Sequence, residues 1–256
     1  MVAFIRSPTE QEVMRTPTSG FADELGQLDD DNSNVFGPEL GEFSGEGHQS
    51  GTDADDAGMK TGTTTVGLKT DEGVVLATDM RASLGNMVSS KDVQKVEEIH
   101  PTGALTIAGS VSAAQNLISS LQAEVRLYEA RRGEDMSMQA LSTLTGNFLR
   151  SGAFLIVSPI LGGVDSEGSH IYSIDALGGT TEEEYTVTGS GSQFALGVLE
   201  QHYEDDLSLD EAESVAAQAI KSAVERDLAS GNGINVAVVT EDGVDVDRYD
   251  DIDQLL

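Results

Sequence analysis

Three consecutive threonines, residues 63–65, follow a glycine at the point where the character of the chain changes. Residues 1–62 are polar, acidic and rich in glycine, whereas β-branched residues typical of strands begin at Thr63. A threonine hydroxyl is a poor nucleophile and needs a base. One base open to a threonine is its own α-amino group, because a pKa of about 7.7–8.0 leaves a useful fraction neutral near pH 7.

That amine exists only if the chain is cut before Thr63, since the nitrogen of an intact chain is an amide. Gly62 suits such a cut: without a Cβ it lets the Thr63 hydroxyl approach its carbonyl and tolerates strained dihedrals. The plainer interpretation is that the threonines begin a strand and that Gly62 is a hinge. These few residues alone favour the plainer interpretation.

Other catalytic systems find little support in the sequence. The chain has no cysteine, which excludes disulfides and thiol catalysis. Pairs of aspartates are too numerous in so acidic a chain to be informative. The histidines lie in no recognisable triad motif: His48, His100, His170 and His202.

The net charge of −31 restricts both partners and surroundings. Such a chain repels nucleic acid phosphates and anionic membranes, so neither is an expected partner. A disordered acidic protein is one interpretation, but the regular apolar patterns after residue 63 argue against it. We favour a folded protein in a very salty cytoplasm, where molar salt shortens the Debye length to about 3 Å. The absence of a secretory signal and of a membrane-spanning apolar run predicts a cytoplasmic protein.

The elements that must position Thr63 follow a simple order. Residues 1–62 keep no period and are predicted to be a mostly disordered leader. Beyond them the patterns run as strands, two helices, strands, two helices and strands. Turn signals such as the sequence DEG at 71–73 predict hairpins and hence largely antiparallel sheets. The sequence therefore predicts an α+β fold, a four-layer helix–sheet–sheet–helix sandwich with two mainly antiparallel sheets.

Some boundaries are predicted more closely. The runs ALTIAGS at 104–110 and FLIVSPILGGVD at 154–165 are each predicted to be strands. Ser208 and Glu211 have the spacing of a capping box and predict the start of the last long helix.

Several motifs, in order, resemble the β subunit of the proteasome core particle, most closely the archaeal type. They are TGTTTVG (61–67), LATDMRAS (76–83), KVEEIHPTGALTIAGS (95–110), TGSGS (188–192) and RDLASGNGINVAVVT (226–240). The resemblance covers nearly all of the part predicted to fold. It implies a threonine protease of the N-terminal-nucleophile class with the same sandwich fold, without a metal or a cofactor.

The resemblance assigns catalytic roles to individual residues. Thr63 matches the nucleophile, freed by cleavage after Gly62, so residues 1–62 would be a propeptide and residues 63–256 the catalytic domain. Lys95 matches the active lysine, and Lys91, four residues earlier, looks like an ordinary loop lysine. The remaining matches are Asp79, which would orient that lysine, the polar set around the terminal amine (Ser190, Asp227 and Ser230), and Gly109, whose N–H would hold the oxyanion.

The resemblance also marks a first substrate pocket, whose matching residues are Ala82, Val93, Glu97, Ile107, Val111 and Gln115. Most of these are small or aliphatic, which predicts cleavage after apolar residues. Glu97 leaves cleavage after a basic residue open as an alternative.

Partners follow from the resemblance as well. It implies stacked seven-membered rings of α subunits and other β subunits, a regulatory ATPase that acts on the assembled particle, and unfolded proteins as substrates. A non-catalytic ring subunit is the alternative, against which the joint presence of Gly62, Thr63, Asp79 and Lys95 argues. A third interpretation, a bacterial threonine protease with simpler rings, fits the long leader less well.

Overall fold

A computed structural model describes residues 62–152, 154 and 157–256, so the predicted leader lies outside the described residues apart from Gly62. In chain order the strands are β1 (Thr64–Lys69), β2 (Val74–Asp79), β3 (Ala82–Leu84), β4 (Met87–Ser90), β5 (Val96–His100), β6 (Gly103–Thr106), β7 (Ile160–Asp165), β8 (Gly168–Ile174), β9 (Thr180–Glu183), β10 (Tyr185–Gly189), β11 (Ile234–Thr240) and β12 (Gly243–Tyr249). The α-helices of this part of the chain are α1 (Val111–Arg132), α2 (Met138–Arg150), α3 (Ser192–His202) and α4 (Leu209–Arg226), and a short 3₁₀ helix spans Ile252–Leu255.

The strands form two five-stranded antiparallel sheets, and β3 and β4 form a separate hairpin. One sheet has the order β10-β1-β2-β11-β12 and the other β5-β6-β7-β8-β9. Helices α3 and α4 pack on the first sheet, and α1 and α2 pack on the second. The predicted four-layer sandwich is therefore confirmed.

Strand β2 illustrates how the sequence produces these layers. Its side chains are buried on both faces: Val75 and Ala77 pack in the cluster under α3 and α4, whereas Val74 and Leu76 pack between the sheets. A strand covered on both faces needs a continuous apolar run instead of an alternating one, and VVLA supplies it.

Several elements differ from the sequence-based expectation. Strand β6 ends at Thr106, well before Ser110, and Gly109 in the segment that follows has a φ of 124°, outside the extended range. Strand β7 begins at Ile160, after Pro159, and not at residue 154. The β3–β4 hairpin and β9 were not predicted, because their largely exposed residues carry no apolar alternation.

Helix α4 begins with the predicted capping box: the Ser208 hydroxyl accepts from the Glu211 N–H, and the Glu211 carboxylate accepts from the Ser208 N–H at 3.0 Å. The helix ends at the cap residue Asp227, which brings that carboxylate to the edge of the β1–β10 pair. Among the described residues, none of the helices has the length and apolar composition needed to span a membrane.

Candidate active site

The backbone around Thr63 is held by the turn that follows β10. Thr63 is 4% exposed and immediately precedes β1, and its carbonyl accepts from the Ser190 N–H at 2.8 Å. Gly189 has a φ of 98°, and a Cβ there would lie 1.9 Å from the Thr63 carbonyl oxygen. Only glycine fits this approach, so the turn fixes where Thr63 sits.

The Thr63 hydroxyl lies between a carbonyl and an amine. Its Oγ1 donates to the Gly62 carbonyl oxygen at 2.6 Å and accepts from Lys95 Nζ at 3.0 Å. The peptide bond between Gly62 and Thr63 is intact, so the Thr63 nitrogen is an amide, which donates to Ser190 Oγ at 3.2 Å. The hydroxyl is therefore already next to the bond whose cleavage would free the amine.

Lys95 reaches this position from the segment just before β5, and it is paired with a buried carboxylate. Its Nζ donates to Asp79 Oδ1 at 2.7 Å, with the two residues 4% and 0% exposed. Burial lowers the pKa of Lys95 from its ordinary value, and the Asp79 carboxylate opposes that shift. By contrast Lys91 is exposed in the loop after β4. Of the two lysines, the structure brings Lys95 to Thr63.

The Asp79 carboxylate, at the end of β2, is fixed by backbone donors. The N–H groups of Thr64, Arg81 and Gly231 donate to it at 3.0, 3.1 and 2.9 Å. Three such bonds satisfy a buried carboxylate and hold it towards Lys95.

A second carboxylate, that of Asp227, is connected to the Thr63 nitrogen through Ser190. Asp227 Oδ2 accepts from Ser190 Oγ at 2.5 Å and from Ser230 Oγ at 2.7 Å, while its Oδ1 accepts from the Ala229 N–H at 3.2 Å. The structure thus brings together the three residues predicted to surround the terminal amine.

Gly62 sits where a side chain cannot. A Cβ at this position would lie 1.6 Å from the Cβ of Ala229 and 3.1 Å from Ser190 Oγ. Its N–H donates to Ser83 Oγ at 3.2 Å. The close packing of the loop after α4 therefore requires glycine immediately before Thr63, which adds a packing reason to the conformational one.

A cavity of about 620 Å³ opens beside Thr63 and Lys95. All the residues predicted to form the substrate pocket line it, and so does Gly109: they are Ala82, Val93, Glu97, Ile107, Val111 and Gln115. Burial raises the pKa of Glu97 from its ordinary value. The cavity is thus a mainly apolar recess with one carboxyl group, adjacent to a potential nucleophile.

Sequence reasoning missed several residues of this site. Arg81 donates to the Leu228 carbonyl at 2.8 Å and to Asn232 Oδ1 at 3.3 Å, which ties down the loop that carries Ser230. Ser83 was missed because it lies on the unpredicted β3–β4 hairpin. No local signal identifies these contacts, since they join residues far apart in the chain.

Comparison with known proteins identifies the family of this chain. A family described as "Proteasome subunit" matches residues 59–239. The proteasome subunit beta of Halorubrum lacusprofundi is 73% identical over 247 residues, which cover 95% of this chain and 100% of that protein. That of Haloferax volcanii is 74% identical over 243 residues, 94% of this chain and 100% of that protein. That of Haloquadratum walsbyi is 70% identical over 252 residues, 98% of this chain and 100% of that protein. These relatives are haloarchaeal, which confirms the salt-adapted interpretation of the acidic composition.

Proposed function

The chain belongs to the proteasome subunit family and is a β subunit, a threonine-type endopeptidase, and we propose that it is a catalytic subunit that frees its own nucleophile. It cuts the bond between Gly62 and Thr63 and then hydrolyses unfolded proteins in the cytoplasm, mainly after apolar residues. The observation that carries this proposal is the position of Thr63 Oγ1, 2.6 Å from the Gly62 carbonyl oxygen and 3.0 Å from a buried lysine nitrogen.

Self-cleavage uses the bond that the hydroxyl already adjoins. Thr63 Oγ1 adds to the Gly62 carbonyl carbon, the bond from that carbon to the Thr63 nitrogen breaks, and the nitrogen takes up a proton to become an amine. Water then hydrolyses the resulting ester, which leaves a carboxylate on Gly62 and restores the hydroxyl. The Lys95 ammonium stabilises the negative charge that develops on Oγ1.

Peptide hydrolysis repeats this chemistry on a substrate. The amine of Thr63, held by Ser190, accepts the proton of Oγ1 as the oxygen attacks the substrate carbonyl. The resulting oxyanion lies at Gly109, whose N–H is its proposed donor; one such donor can contribute roughly 10²–10³ in rate. Asp79 keeps Lys95 charged and in place.

Family membership implies assembly with α and β subunits in a core particle. We propose the seven-membered stacked rings and the ATPase-fed substrates of the archaeal type. The alternative is a ring subunit without activity. A buried ion pair contributes little to stability by itself, so such a subunit would have no need of a buried Lys95–Asp79 pair directed at a hydroxyl.

The first prediction concerns maturation. Gly62→Ala is expected to slow leader removal by at least about tenfold, because overpacking against Ala229 displaces the carbonyl from Thr63 Oγ1. Time-resolved intact-mass measurement of newly assembled particles checks this. Once processed, the variant is expected to have normal peptidase activity, since residue 62 is no longer part of the chain.

Gly197→Ala is the matched control, because a Cβ at this position on α3 meets nothing within 4 Å. Its leader removal is expected to match that of wild type. Equal processing of Gly62→Ala and Gly197→Ala would contradict the proposed cleavage geometry.

The second prediction concerns Glu97. Because its pKa is raised, the carboxyl stays neutral to higher pH than an exposed glutamate, whose pKa is about 4.3. As pH rises through the raised value the pocket gains a negative charge. Cleavage after basic residues, relative to apolar residues, is then expected to increase by about fivefold, as for an ion pair of about 1 kcal/mol.

The measurement is the ratio of kcat/KM for two peptides that differ only in the residue before the cut, which is basic in one and apolar in the other. The ratio is followed as the pH rises through the raised pKa of Glu97. Titration of the catalytic groups of the enzyme affects the hydrolysis of both peptides equally, so it cancels in the ratio. Glu97→Gln is expected to abolish the rise, and Glu98→Gln, an exposed neighbour on β5, to preserve it. A rise that persists in Glu97→Gln would assign the pH dependence to another group.

A further inference from the structure

The second residue of the threonine run has no part in the chemistry described above, yet it is fully buried. Thr64 is 0% exposed, and its Oγ1 lies 2.7 Å from Ser230 Oγ. A Cβ on Gly191 would lie 2.1 Å from Thr64 Oγ1. The hydroxyl is therefore enclosed between the loop after α4 and the turn after β10.

The direction of the hydrogen bond between Thr64 and Ser230 follows from counting protons. A serine hydroxyl has one proton, and that of Ser230 is donated to Asp227 Oδ2 at 2.7 Å. Thr64 must therefore be the donor to Ser230. The Ser190 hydroxyl likewise donates its single proton to Asp227 Oδ2. Ser190 Oγ can therefore only accept from the Thr63 nitrogen.

A continuous set of oriented hydrogen bonds thus connects the Thr64 hydroxyl with the nitrogen of Thr63. The backbone of Thr64 contacts the other carboxylate of the site: its N–H donates to Asp79 Oδ1, the atom that also accepts from Lys95. Thr64 is therefore connected to both carboxylates of the site. Its backbone N–H donates to Asp79 directly, and its hydroxyl reaches Asp227 through Ser230.

The next residue offers a contrast. Thr65 is also 0% exposed, but its hydroxyl pairs with Thr188 Oγ1 at 2.8 Å, and Thr188 in turn donates to the Ser158 carbonyl. This pair joins β1 to β10 and has no contact with either carboxylate of the site. Two adjacent buried threonines therefore differ in the group to which their hydroxyls connect.

We propose that Thr64 is a positioning residue for catalysis: its hydroxyl orients Ser230, and through Asp227 and Ser190 it holds the terminal amine of Thr63 in line with Oγ1. The inference rests on the proposed function, since it needs that amine to be the base. Without the hydroxyl, Ser230 loses its donor and is free to rotate away from Asp227. Thr64 is not among the described residues that line the substrate cavity, so turnover falls while substrate binding persists.

The test uses assembled, processed particles and a fluorogenic peptide with an apolar residue before the cut. Thr64→Val, which removes the hydroxyl and keeps the shape, is expected to lower kcat about tenfold with KM within about twofold. Thr64→Ser is expected to restore kcat to within about threefold of wild type. Thr65→Val, the matched control, is expected to stay within about twofold of wild type.

A double-mutant cycle identifies the route of the effect. Ser230→Ala removes the proposed intermediary, so adding Thr64→Val to it is expected to lower kcat no further. Equal losses in Thr64→Val and Thr65→Val, additive losses in the cycle, or a tenfold loss in Thr64→Ser would each overturn the inference. If Thr64→Val does not assemble, Thr64→Ala, which removes the same hydroxyl without adding a methyl group, takes its place with the same expected results.

The two proposals fail in different ways. A wild-type particle that is inactive, or whose chain does not begin at Thr63, contradicts the proposed function. An active wild-type particle with a fully active Thr64→Val variant contradicts only the positioning role of Thr64.

Discussion

Thr63→Ala is expected to yield a subunit that keeps its leader and has no measurable peptidase activity. Loss of a nucleophile can lower turnover by about 10⁶-fold. Cleavage is expected to fail for the same reason, because the proposed mechanism uses the Thr63 hydroxyl, which lies 2.6 Å from the Gly62 carbonyl oxygen, in both reactions. Intact mass and peptide turnover, measured on the same particle preparation, report both effects.

Thr63→Ser is the matched variant, because it keeps a hydroxyl at the same position. It is expected to remove its leader and to retain activity. Removal of the leader from Thr63→Ala at the Gly62–Thr63 bond would show that another protease cuts this chain, and self-cleavage would have to be abandoned.

Lys95→Ala is expected to have the second largest effect, a loss of about 10²–10⁴ in kcat with little change in KM. In the proposed mechanism the Lys95 ammonium, 3.0 Å from Thr63 Oγ1, stabilises the charge that develops on this oxygen in the transition state, so its loss is expected to affect turnover more than substrate binding. Lys91→Ala, which alters an exposed lysine four residues earlier, is expected to leave turnover within about twofold of wild type.

Two precautions separate chemistry from folding in this comparison. The chain is produced to begin at Thr63, so that a failure to process does not mask the effect on turnover. Removing Lys95 leaves the buried Asp79 without its cation, at a cost of about 3–5 kcal/mol, so thermal unfolding and ring assembly are measured in parallel. An assembled Lys95→Ala particle that turns over within tenfold of wild type would transfer the catalytic role to another group.

The sequence predicted the layers because their physical signals are local. Apolar runs such as that of β2, helical periodicity and the capping box at Ser208 each depend on residues close together in the chain. The change in polarity and β-propensity at Gly62 and Thr63 is an equally local signal, and strand β1 begins at Thr64. The β3–β4 hairpin and β9 were missed because exposed strands carry no such signal.

The contacts of the site could not be predicted in this way. Thr63 meets Ser190 across 127 positions of the chain, and Thr64 meets Ser230 across 166. Hydroxyl orientation depends on the whole set of neighbours, so composition and spacing could not distinguish Thr64 from Thr65. The packing of Gly62 against Ala229 likewise exists only once the loop after α4 has folded against β1.

The most direct test of the central claim is the N-terminal sequence and intact mass of the wild-type chain recovered from its assembled particle. We expect a chain that begins at Thr63, with residues 1–62 removed, in particles that hydrolyse peptides. A chain that retains its leader in active particles would contradict the claim that the freed amine of Thr63 is the base and its hydroxyl the nucleophile.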